Sequence, residues 1–155
     1  MLEYKIVKRP QFTVVGIARK FNNATAYKEI PKFWQEHVKS ELIDDICGDY
    51  GICFDDGKDG EFTYYIADDY IPWAEYPQTV EIKVIPAHTW AVFACEGKLP
   101  QSLQKLNDEI WKQWLPNNGK YCLADNFNIE FYLPTGNDSD ENYSEIWLPV
   151  RKINK

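Results

Sequence analysis

Tyr143, Glu145 and Trp147 occupy alternate positions in Tyr143-Ser144-Glu145-Ile146-Trp147-Leu148-Pro149-Val150. A two-residue period in a run this apolar predicts a strand, with Tyr143, Glu145 and Trp147 on one face. Ile146, Leu148 and Val150 make the other face, apolar enough for a core. A carboxylate between two aromatics has two possible settings. On an open surface it is merely solvated, as most strand glutamates are. In a concavity it is a receptor for a flat, cationic, apolar ligand, offering countercharge while the rings stack.

Other residues extend that pattern. Around Asn128-Ile129-Glu130-Phe131-Tyr132, the residues Phe127, Ile129 and Phe131 look core-facing, which turns Glu130 and Tyr132 toward the Glu145 side, where Glu130 has a surface role at least as readily as a pocket role. In Glu61-Phe62-Thr63-Tyr64-Tyr65-Ile66 one of Tyr64 and Tyr65 faces the same way, with Tyr64 favoured. Trp90 either lines a groove or plugs the core. Trp73 lies with Tyr70 and Tyr76 in an irregular segment, Asp68 to Gln78, suited to cover a pocket mouth. The same groups admit hydrolysis: Glu145 or Glu130 would activate a water while a tyrosine, Tyr64 for instance, donates to the leaving oxygen.

The remaining chemistry is sparse. His37 and His88 fall on a predicted helix and in a turn, so no nucleophile–base–orienter set is readable. Axial haem ligation by a lone histidine is less expected than a structural role. Cys47, Cys53, Cys95 and Cys122 form no CxxC pair, so neither a metal site nor a cofactor is expected. Gly57 and Gly60 sit among aspartates, which would repel phosphate.

The elements that must hold these residues follow from periodicity. Strands are predicted at about 4–8, 12–20, 50–54, 61–67, 80–85, 89–95, 127–133 and 143–150. Helices are predicted at about 25–42 and 101–114. The first helix is apolar at Ile30, Phe33, Trp34, His37 and Val38, with Pro31 marking where its regular part begins. The second is apolar at Leu103, Leu106, Ile110, Trp111 and Trp114 and stops at Pro116-Asn117-Asn118-Gly119. Asp55 to Gly60 reads as a hairpin loop and Pro134 to Asn142 as an acidic exposed loop.

The two halves echo each other. Glu3–Val7 aligns with Glu81–Ile85, Phe12–Val15 with Trp90–Phe93, and Phe33 with Trp111, all at one offset. Each half runs strand, turn at a proline, strand, helix. We therefore expect one α+β domain over 1–155, duplicated in βαββ-type halves of about 1–78 and 79–155. Two helices cannot cover both faces of about eight strands, so a bare central cleft on the pseudo-twofold axis is the expected ligand site.

Composition bounds the partners. The 155 residues carry 24 acids against 17 bases, a net charge of −7, which argues against nucleic acid and suits cationic small molecules. No helix-turn-helix pattern appears, so direct DNA binding is not expected. No apolar run approaches the roughly 18 residues of a membrane span, and the first residues lack a signal-peptide pattern. A cytoplasmic protein with reduced thiols is expected. Six Trp and ten Tyr against eight Phe is a surplus of rings with polar tips, common in aromatic-lined pockets.

Seven stretches in order carry a resemblance. They are Ile30-Pro31-Lys32-Phe33-Trp34, Tyr50-Gly51-Ile52-Cys53-Phe54, Glu61-Phe62-Thr63-Tyr64-Tyr65, Trp90-Ala91-Val92-Phe93 with Gly97, Ile110-Trp111-Lys112-Gln113-Trp114-Leu115-Pro116, Glu130-Phe131-Tyr132, and Glu145 to Val150. Together they resemble the GyrI-like small-molecule-binding domain, the effector module of AraC-type and MerR-type multidrug-responsive regulators. The resemblance spans nearly the whole chain and implies two βαββ halves around a cleft. It also implies aromatic walls for lipophilic, often cationic compounds and a buried glutamate, by position Glu145, as countercharge. With no DNA-binding domain in the match, transcription control is not expected to be direct. Stand-alone relatives imply drug or toxin sequestration or sensing, hydrolysis of cyclopropane-bearing genotoxins, or inhibition of gyrase through a protein contact.

Overall fold

The computed structural model describes residues 2–55, 59–133 and 142–153. The predicted loops at 55–60 and 134–142 therefore fall largely outside the described residues. Among those described are nine strands and two main helices, an α+β architecture of antiparallel strands. The chain divides into two compact units, one of Gln11–Pro86 and one of Met1–Pro10 with Ala87–Lys155.

The first unit holds β2 (Phe12–Asn22), α1 (Ala26–Val38), β3 (Tyr50–Asp55), β4 (Glu61–Asp69) and β5 (Glu81–Ile85). Its strands run in the order β3-β4-β2-β5. Helix α1 lays Phe33 on Val15, Ile46, Tyr64 and Ile66, the cluster that forms this unit's core. The helix starts at Ala26, within a residue of the expected start, and is already regular before Pro31, which lies inside it. Proline has no N–H to offer the Tyr27 carbonyl, and Tyr27 is exposed, where water can serve instead. Gly48 begins the approach to β3 with φ of 90°, and a Cβ there would meet the Trp34 ring at 2.6 Å. Only glycine suits that position. Asp68 clamps the same turn by accepting the backbone N–H groups of Cys47, Gly48 and Asp49 at 2.7–2.9 Å.

The other unit holds β1 (Lys5–Arg9), β6 (His88–Glu96), α2 (Gln101–Glu109), β7 (Tyr121–Leu123), β8 (Phe127–Tyr132) and β9 (Tyr143–Lys152). Its strands run β1-β6-β9-β8, with β7 also on β9. A π-helical turn, Ile110–Trp114, extends α2. Leu103, Leu106, Ile110 and Trp114 pack on Ala91, Phe93, Cys95, Ile146, Leu148 and Val150. The apolar alternation of Ile146, Leu148 and Val150 is thus the helix-covered face, as the sequence implied.

Neither proline turn closes a hairpin. β1 pairs with β6 and β2 with β5, so the strands beside Pro10 and Pro86 exchange partners. Each compact unit therefore takes its edge strand from the other sequence half. β7 was not anticipated, because three residues are too few to show alternation.

Candidate functional site

On the face of the second unit turned away from α2, pairing sets which side chains meet. Trp147 lies opposite Val92 on β6 and Ile129 on β8. Glu145 lies opposite Ala94 and Phe131. Directly opposed residues share a face, so Trp90, Val92, Ala94, Ile129, Phe131, Tyr143, Glu145 and Trp147 all turn the same way. β1 adds Val7 opposite Trp90 and Arg9 opposite His88.

Glu145 is the centre of this face and is 9% exposed. The Tyr143 hydroxyl donates to its Oε2 at 2.6 Å, and the Trp147 indole N–H donates to its Oε1 at 2.8 Å. Both donors are neutral. Among the described residues no cationic side chain forms an ion pair with Glu145. A buried carboxylate is ordinarily paired, since losing water costs it several kcal/mol (about, for a buried ion). Ala94, directly across, presents only a methyl and is exposed. The carboxylate is held but its charge is not matched.

The walls are rings. Phe131 stacks on Trp147 at 5.7 Å and 25°, and Trp90 meets Trp147 edge-on at 6.0 Å. Trp90 is fully buried on this same face, beneath Phe127 and His88. It is thus both under the face and part of its core. The Arg9 guanidinium lies 4.7 Å from the Trp147 ring centroid. His88 Nε2 lies 3.0 Å from Asp125 Oδ2. Sequence reading missed the last two, for Arg9 and Asp125 are far along the chain from their partners and carry no local signal.

Other predicted site residues fall elsewhere. Glu130 is opposite Ile146 and Tyr132 opposite Ser144, which puts both on the helix-covered side. There the Tyr132 hydroxyl donates to Glu130 at 2.7 Å. The error has a physical source: Phe127, Ile129 and Phe131 are apolar because the face away from α2 is itself aromatic and largely buried. Tyr64 is likewise corrected. It is fully buried under α1 and accepts the Trp34 indole N–H at 2.9 Å. A hydroxyl so enclosed is not available to a substrate. Tyr65, its neighbour, takes the opposite face of that sheet, edge-on to Phe54 at 5.4 Å, with Lys83 Nζ 5.6 Å from its ring. Trp73 is 85% exposed, next to the stacked pair Tyr70 and Tyr76.

The contact with Glu145 marks Tyr143 chemically. Its hydroxyl is pushed up to about 12 from 10.0, first by the hydrogen bond to Glu145, then by burial and the nearby negative charge. The folded value is the higher one, so the stabilisation is complete below pH 10 and lost as pH rises through about 12. Subtracting the tyrosinate absorbance titration of Tyr143→Phe from that of the parent is expected to leave one group with a midpoint near 12. A midpoint near 10 would show that Glu145 does not hold this hydroxyl.

Among the described residues no cluster of histidine, cysteine and carboxylates is arranged to hold a metal ion. No described helix is long and apolar enough to cross a membrane.

Comparison with solved structures places the fold. SAV2435, solved bound to tetraphenylphosphonium, superposes with a TM-score of 0.83 at 22% identity, over 97% of this chain and 94% of that one. A putative bacterial transcription regulation protein from Staphylococcus aureus MU50 gives 0.77 at 23% identity, over 97% and 99%. An integron cassette protein from the mobile metagenome of Vibrio cholerae gives 0.72 at 19% identity, over 96% and 95%. No curated protein sequence matches significantly. The sequence itself matches the Cass2 family over residues 5–150, and the chain therefore belongs to the integron-associated effector-binding proteins, a GyrI-like small-molecule-binding family.

Proposed function

We propose that this chain is a receptor for lipophilic aromatic cations, which it binds at the aromatic face bearing Glu145, on the side of its sheet away from α2. The observation that carries the reading is the Glu145 carboxylate, buried, held by two neutral donors and lacking a cationic side-chain partner among the described residues. A ligand cation would supply the missing charge. Trp147 and Phe131 offer stacking area, and each cation–π contact adds about 0.5–2 kcal/mol. The net charge of −7 raises the local concentration of cations. The same fold holds tetraphenylphosphonium in SAV2435, which supports this ligand class.

Because Trp147 and Trp90 lie at the site, binding is expected to quench tryptophan emission. Titration with tetraphenylphosphonium should saturate in the micromolar range, about −8 kcal/mol. A neutral triaryl compound of similar size, triphenylphosphine oxide, should bind more weakly. If the folded protein shows neither quenching nor heat with tetraphenylphosphonium, or prefers the neutral compound, the cation-receptor reading fails.

A further inference from the structure

Each unit ends its sheet on a strand with one open side, and the two edges are built differently. β1, the end strand of the second unit, carries Lys5, Lys8 and Arg9 and no acid. Such charges repel an approaching copy, a common protection for an open edge. β5, the end strand of the first unit, reads Glu81-Ile82-Lys83-Val84-Ile85 and lacks that protection. Ile82 lies opposite Val15 and Val84 opposite Thr13, so both are on the α1 side of the sheet. Yet they are 56% and 50% exposed. Apolar, β-branched residues on an unpaired edge are a template for a further strand. We propose that β5 pairs with the β5 of a second copy of this chain, antiparallel about a two-fold axis at Ile82. The proposal goes beyond the ligand reading and does not depend on it.

Charge fixes the partner and the register. Glu81 and Lys83 flank Ile82 with opposite signs, and alternation puts both on the side away from α1. Glu81 is exposed, and Lys83 Nζ lies 4.2 Å from the Phe54 ring centroid. Neither forms an ion pair among the described residues. A two-fold at Ile82 sets Glu81 of each copy opposite Lys83 of the other, giving two opposite-charge pairs. On the α1 side it sets Ile82 on Ile82 and Val84 on Val80, an apolar row. An axis at Glu81 or at Lys83 would oppose two like charges. An axis at Val84 would leave both charges without a counterpart. Within β1 every charge is positive, so no register there supplies an opposite pair.

Sedimentation equilibrium of the full chain, from micromolar to near-millimolar concentration, is the test. It should show a reversible monomer–dimer equilibrium and nothing larger, since a two-fold contact closes on itself. Ile82→Lys opposes two cations on the axis and should leave only monomer. Glu81→Lys and Lys83→Glu each turn both cross-strand pairs into like charges, and should weaken the dimer by at least about 10-fold. The double variant Glu81→Lys/Lys83→Glu restores opposite pairs and should return to within about 3-fold of the parent. Thermal transitions confirm that the variants fold; should Ile82→Lys fail, the charge variants carry the test. A parent that stays monomeric throughout would overturn the inference. So would a dimer indifferent to Ile82→Lys, species larger than a dimer, or a double variant no better than its singles. The cation-receptor reading stands or falls separately, on its own titration.

Discussion

Replacing Glu145 with Gln should weaken tetraphenylphosphonium binding by about 5- to 150-fold, or about 1–3 kcal/mol, while leaving the fold intact. The substitution is nearly isosteric, and the local hydrogen bonds can be re-made. The Trp147 indole only donates, so the new amide must turn its oxygen to Trp147 Nε1, now 2.8 Å from Oε1. The amide NH2 then faces the Tyr143 hydroxyl, which can accept as well as donate. Only the charge is removed. Triphenylphosphine oxide, which stacks without needing countercharge, should bind about as before. The same variant separates binding from hydrolysis: in a hydrolase it would abolish turnover and spare substrate affinity. Equal affinity of parent and Glu145→Gln for the cation would remove this carboxylate from the site.

What was legible in the sequence follows from how unequal the two faces of each strand are. Along β9, Ile146, Leu148 and Val150 are wholly apolar and the alternate residues are mixed, so alternation assigned both faces correctly. In β8 the rule misled. Phe127, Ile129 and Phe131 are apolar, yet they turn away from α2 to meet Trp90 and Trp147. When both faces are buried by rings, alternation tells which residues share a side but not which side it is. Tyr64 and Tyr65 pose the same problem as adjacent residues of one type. Their choice is made by α1, whose Trp34 reaches the Tyr64 hydroxyl from thirty residues away in sequence. Arg9 was unreadable for a further reason. Its partner is fixed by β1 joining β6, a pairing between distant segments that no local pattern encodes.

Trp147 should prove the costliest single residue on this face to remove. Its side chain is buried, stacked by Phe131, edged by Trp90 and tied to Glu145. Trp147→Ala leaves a cavity between those rings and strips Glu145 Oε1 of its donor, a loss of about 3–5 kcal/mol in unfolding free energy. Trp147→Phe keeps most of the stacking and loses chiefly the N–H, so about 1–3 kcal/mol is expected. Denaturant unfolding at unchanged slope is the measurement. The pair also reports on the carboxylate. If the indole and Glu145 act as one unit, the double variant Trp147→Phe/Glu145→Gln should be less destabilised than the sum of its singles, since the amide no longer leaves a charge without its donor. Strict additivity in that cycle, or a Trp147→Ala protein as stable as the parent, would show that the indole does not hold Glu145 in place. The buried countercharge would then need another support.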